Sequence, residues 1–173
     1  MHRKHLRALV NSGALEQVSR GMYRLADLGP ESHAALAEVA SRVPGSVVCL
    51  LSALAFHELT TQSPRDVWIA IPPKAWTPSN PPTRVHVVRM SEPWLTDGVD
   101  TVVVDNVPVR ITTPVRTVVD CFRFRTSVGL DVALEALREC LAKRLATPAE
   151  IMELARRRRV GSVVRPYLEA LVA

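Results

Sequence analysis

Few residues in this sequence have the type and spacing that chemistry requires. His57-Glu58, in the stretch HELTT, is the only histidine with an adjacent acid in an apolar setting, and it lacks the second histidine at i+4 that a zinc-protease helix needs. It reads as a helix-end histidine capping its own turn. A nuclease wants clustered acids followed by a lysine on a strand, but Asp66 precedes the strand-like VWIAI and Lys74 lies beyond Pro72-Pro73. Asp97, Asp100 and Asp105 fall in loops and turns, where solvated acids are expected. Asp120 stands in a helical pattern among arginines and reads as an ion-pair partner rather than a general base. The seven glycines are scattered and none forms the phosphate-cradling G-x-x-x-x-G-K pattern. Cys49, Cys121 and Cys140 are far apart, odd in number and without a C-x-x-C pair, so they read as buried free thiols. No catalytic constellation emerges, and no metal or cofactor is expected.

Charge placement says more. The net charge is +5, and residues 1–24 hold Arg3, Lys4, Arg7, Arg20 and Arg24 against Glu16 alone. A small basic head on a nearly neutral body points to an anionic partner, nucleic acid first. Over residues 2–11, Leu6, Leu9 and Val10 share one helical face and Arg3, Lys4 and Arg7 another, which predicts a short amphipathic helix. In ALEQVSRGMYRL, Arg20-Gly21 suits a tight turn that pairs Val18 with Tyr23, making a hairpin with Arg20 at its tip. Helix plus hairpin is the second half of a winged helix. In that arrangement Arg3, Lys4 and Arg7 reach base edges or backbone while Arg20 and Arg24 grip phosphates. The plainer alternative is a charged end that keeps the chain solvated.

The elements behind the head define a body over residues 30–173, with the boundary at 26–30. Residues 46–59, SVVCLLSALAFHEL, are apolar almost all round, which predicts a buried helix. It is too short and interrupted to span a bilayer. With no cleavable leader in sight, the default compartment is the cytoplasm. VWIAI reads as a central strand, residues 84–90 as another, and 101–112 as a hairpin broken at Asp105-Asn106. The proline-rich segment 74–83 is a loop whose Trp76 is either a lid on the core or a contact, core cover being the commoner fate. Thr113-Pro114 opens a helix, residues 131–144 form the next, and Thr147-Pro-Ala-Glu150 is a capping box for a third. A last helix turns Val164, Leu168 and Leu171 inward. Together these give an α+β body with a small, mainly antiparallel sheet and C-terminal helices.

Several of these stretches resemble one family. Residues 49–62 (CLLSALAFHELTTQ), 67–72 (VWIAIP), 117–139 (TVVDCFRFRTSVGLDVALEALRE) and 165–171 (RPYLEAL) are similar, in order, to the AbiEi antitoxins of bacterial abortive-infection (phage-defence) systems, and residues 10–25 resemble that family's wing. The resemblance implies a type IV toxin–antitoxin system. Its antitoxin counters a nucleotidyltransferase toxin and acts as a transcriptional autorepressor on operator DNA, without being an enzyme. Family members carry two further helices ahead of the recognition helix, whereas this sequence starts at the recognition helix itself. The expected organisation is therefore a partial winged-helix head over 1–29 and an α+β antitoxin domain over 30–173. For a partner surface, Arg156, Arg157, Arg158 and Arg159 form either a solvated helix end or a contact for an acidic protein or RNA, and Arg116, Arg123 and Arg125 offer a second basic face. Two rivals remain open: a nuclease-like enzyme relying on Asp66 or Asp120, and a plain repressor sensing a small molecule beneath the Trp76 loop.

Overall fold

The structure, a computed structural model, describes residues 15–19, 22–25, 33–81 and 83–173 of the 173-residue chain. The expected recognition helix, the boundary at 26–30, and Arg3, Lys4, Arg7 and Arg20 lie outside the described residues. The backbone of the expected hairpin is present as β1 (Leu15–Ser19) and β2 (Met22–Leu25), paired antiparallel. Its register corrects the expectation. Gln17, not Val18, faces Tyr23, and Ser19 faces Met22, because an extra residue is accommodated in β1 between Gln17 and Ser19.

Helix α1 (Ala34–Arg42) is followed by Gly45 at φ +80°, a left-handed position that suits glycine. The apolar stretch then departs from the all-helical expectation. Val47-Val48 form a two-residue strand, β3, and only after it does the chain enter helix α2 (Leu50–Phe56). Two adjacent β-branched residues fit the pleated sheet better than a helix. The conversion is abrupt: Leu50 is wholly buried at φ +47°. Because β3 is so short, other groups complete the ladder of its neighbour β4 (Val67–Ile71). The Cys49 N–H donates to the Trp68 carbonyl at 3.0 Å, and the Trp68 N–H donates to the Ser52 hydroxyl at 2.9 Å.

Five strands form the main sheet in the order β5-β4-β3-β7-β6, with β5 at Val85–Arg89, β6 at Val99–Val104 and β7 at Val107–Thr112. It is mixed rather than mainly antiparallel. β4 runs parallel to β5, and β3 parallel to β7, while β3–β4 and β6–β7 are antiparallel. The proline-rich connection from β4 to β5 is long enough to carry the chain back to the same end of the sheet, as a parallel pair demands. The β6–β7 hairpin turns at Asp105 and Asn106, both at positive φ (50° and 63°), as their dipeptide predicts. Pro108 sits on β7 beyond the reach of β3, which pairs there only through Val48 and Ile111, so its missing N–H breaks no ladder.

Alternation along β4 builds two cores. Val67, Ile69 and Ile71 face α1 through Leu36 and Val39, joined by Val48, Val109 and Ile111. Trp68 and Ala70 face the other way, toward helices α3 (Pro114–Arg123), α4 (Arg125–Val128), α5 (Leu130–Ala142), α6 (Pro148–Arg157) and α7 (Gly161–Val172). Leu54, Phe122, Leu137 and Ile151 are fully buried there, and burial of each such side chain is worth about 1.5–3 kcal/mol. Pro114 occupies the first turn of α3, whose cap is Thr113, and Thr147 with Glu150 form the expected capping box on α6. In α7, Val164 and Leu168 are buried, but Leu171 is 38% exposed, so the inward stripe ends a turn earlier than its spacing predicts. No helix among the described residues is long and apolar enough to cross a membrane.

Candidate functional site

The C-terminal arginines were expected at a surface, and the structure divides them. Arg116 and Arg158 are interior residues, 0% and 3% exposed, and both hold Asp120, which is itself fully buried. Arg116 Nε donates to Asp120 Oδ2 at 2.7 Å, while Arg158 Nε and Nη2 donate to Oδ1 at 2.9 and 2.7 Å. Arg116 reaches Asp120 because residues four apart share a helical face. Arg158 reaches it because it continues the inward stripe of Ile151, Leu154 and Ala155 at i+7. Arg116 also donates to the carbonyls of Trp94, at 2.9 Å, and Asp97. The Arg158 guanidinium lies over the Trp94 ring at 4.0 Å, a cation–π contact. Burial lowers the Arg158 pKa, and the Asp120 charge opposes that shift.

This knot fastens α3, α6 and the loop before β6 to one another. With both oxygens engaged by guanidinium, Asp120 is an ion-pair partner. Gly98 fits tightly against it: at φ +68°, a Cβ there would lie 3.1 Å from the Arg116 Cβ.

The other arginines are exposed or half-buried. Arg123 donates to the Arg158 carbonyl at 3.0 Å, which places its charge at the C-terminal end of α6, where the helix dipole favours a cation. Arg125 donates to the Phe122 carbonyl at 3.0 Å, and Arg157 pairs with Asp97 at 3.1 Å. Arg156 and Arg159 are exposed and make no side-chain hydrogen bond or ion pair among the described residues. The four consecutive arginines are thus one buried anchor, one surface ion pair and two solvent-facing cations. Near the N-terminus, the backbone of Arg24 on β2 lies opposite Glu16 on β1.

Residues with chemical potential are absorbed by structure. His57 does not cap its own turn through its ring. Its Nε2–H donates to the Thr112 carbonyl at 2.7 Å, tying the end of α2 to the end of β7, and burial pulls its pKa below the ordinary value despite that bond. Thr60 and Thr61 both bind Glu135 of α5. The Thr60 hydroxyl donates at 2.9 Å, and the Thr61 backbone and hydroxyl donate at 2.9 and 2.8 Å, which holds the Glu135 carboxyl below its usual range. Asp66 pairs with Arg84 at 3.2 Å. Cys49 stands at a strand-to-helix turn, a position that exposes nucleophiles elsewhere, but here the thiol is buried and burial drives its pKa up. Cys121 behaves alike, and burial pushes Cys140 up to about 11. Thiolate chemistry is disfavoured at all three. Among the described residues, no three His, Cys, Asp or Glu side chains are grouped to hold a metal.

Trp76 corrects another expectation. It does not cover the core but is 95% exposed. Its loop is fastened from below by Arg89, which donates to the carbonyls of Pro72 at 3.0 Å, Pro73 at 3.3 Å and Ala75, and to the Thr77 hydroxyl at 2.9 Å. The sequence also did not single out Trp94, which carries no motif and acquires its role only where Arg116 and Arg158 converge. Comparison of the chain with models of known protein families finds no match, and neither does comparison with curated proteins.

Proposed function

We propose that this protein is the antitoxin of a type IV toxin–antitoxin system, opposing a nucleotidyltransferase toxin and repressing its own operon through a basic N-terminal winged-helix head. The observation that carries the proposal is the ordered run of segments similar to AbiEi antitoxins, preceded by a head holding five basic residues against one acid. The body supports it in one respect. The similar segments fall on α2, β4, α3 to α5, and α7, which share one core, and two of them are joined directly by Thr60, Thr61 and Glu135. The paired strands β1 and β2 have the antiparallel form that a wing needs.

On this reading Arg3, Lys4, Arg7, Arg20 and Arg24 serve operator DNA. The exposed members of the arginine set, Arg123, Arg156, Arg157 and Arg159, remain for a toxin or its target in the cytoplasm, and Arg116 and Arg158 hold the body in shape. Titration of labelled promoter DNA from the protein's own operon tests the DNA half. Affinity is expected to fall steeply with salt, and Arg20→Ala with Arg24→Ala to weaken binding and flatten the salt slope by roughly one to two units. A titration insensitive to salt, or to that substitution, would remove the head from the proposal.

A further inference from the structure

Trp68 on β4 pairs in register with His86 on β5, and the two rings stack with 3.7 Å between centroids and 19° between planes. Trp68 is all but buried, whereas His86 is exposed, so the imidazole lies over the indole and keeps its outer side toward solvent. The ladder continues one residue before β5, where the Arg84 carbonyl accepts from the Val67 N–H at 2.8 Å. Arg84 therefore projects from the same face as His86, about 6.6 Å along the strand. Among the described residues β5 is the last strand of the sheet, which leaves this face open from the side.

A recess of about 260 Å³ adjoins the stack, with Leu51, Pro64 and Trp68 as its apolar lining and Arg65, Asp66 and Arg84 as its charged groups. Asp66 Oδ1 holds Arg84 Nε at 3.2 Å, and the two terminal nitrogens of that guanidinium have no partner among the described residues. Arg65 is exposed and makes no side-chain hydrogen bond or ion pair among them. Two cations against one carboxylate leave the recess with net positive charge.

We infer that this surface binds a nucleotide unit, with its base stacked on His86 and its phosphate held by Arg84 and Arg65. Each half of the ligand answers a feature of the surface. A flat ring extends a two-ring stack that is covered on one side only, as bases do on exposed histidines and other aromatic side chains. Guanidinium groups with free N–H forks match phosphate oxygens in both charge and geometry. A free nucleotide and a single strand of nucleic acid share this chemistry, whereas the bases of a duplex are already stacked on one another. The site stands independently of the antitoxin proposal and of the basic head.

The test follows the carbon-bound imidazole protons of His86 by NMR, assigned by their loss in His86→Ala, while AMP or hexa-adenylate is titrated into the full chain. The readout is local, so it reports this surface rather than the basic head. A stacked base is expected to move these resonances upfield and saturably, with those of His33 and His57 unmoved. A response to AMP identifies a site for the free nucleotide, and a response to hexa-adenylate alone identifies one for a strand; either supports the inference. Arg65→Gln combined with Arg84→Gln should weaken binding roughly tenfold or more, because the phosphate loses its charged donors. His86→Phe keeps a stacking ring and should bind as the wild type does, read from the ring protons at that position. The substituted side chains are exposed, and circular dichroism melts establish that the variants are folded. Resonances that neither ligand moves, an equal response to inorganic phosphate alone, undiminished binding after the double arginine substitution, or lost binding in His86→Phe would each overturn the inference.

Discussion

Asp120 is the residue on which the C-terminal half turns. Two guanidinium groups are buried against a single carboxylate, and removing that carboxylate strands two cations where water cannot reach them. Asp120→Ala is expected to cost about 3–5 kcal/mol, measured by urea denaturation. Replacing Arg158 by Met in the same background should cost less than the sum of the separate changes, because the two residues interact directly. Additive losses would show that the contact carries no coupling. His57 sets a pH dependence. Its folded pKa lies below its ordinary 6.5, so on acidification the unfolded chain takes up the proton first. The stabilisation is therefore complete above 6.5 and is lost as pH falls from there toward the folded value. His57→Gln keeps a donor for the Thr112 carbonyl without titrating there, so its denaturation midpoint should fall less between pH 7 and pH 5 than that of the wild type. Equal acid slopes would rule out His57 as a source of that dependence.

At the scale of elements, the short central strand makes the sheet depend on a side chain. The Trp68 N–H finds its partner in the Ser52 hydroxyl rather than in β3, and both groups are buried. Ser52→Ala should cost about 1–3 kcal/mol through the unsatisfied donor, read from the same denaturation curves. A neutral substitution would mean that water reaches the site. This join marks where sequence reading stopped. Period and composition revealed β4, the Asp105-Asn106 turn, the Thr113-Pro114 start and the capping box, all of which are set by local geometry. They did not reveal that Val47-Val48 leave the helix or that β4 and β5 run parallel, because pairing partners far apart in sequence decide those. Arg158 was legible in principle at i+7 from Ile151, but a run of four arginines reads as a solvated helix end unless the stripe is followed through it. Trp76 was misread for a different reason: Arg89, twelve or more residues away, determines where its loop sits.

For the whole molecule, the net positive charge is gathered in the first 24 residues, while the body buries Arg116, Asp120 and Arg158 for its own cohesion and exposes charges of both signs. The two proposed activities are thereby separable. Growth rescue is the most direct measurement: induction of a nucleotidyltransferase encoded beside the gene, with and without co-expression of the 173-residue chain. The proposal that the body carries the antitoxin role predicts restored growth, retained when Arg20 and Arg24 are replaced by alanine. Continued arrest while the folded chain accumulates in the cell would contradict the antitoxin assignment.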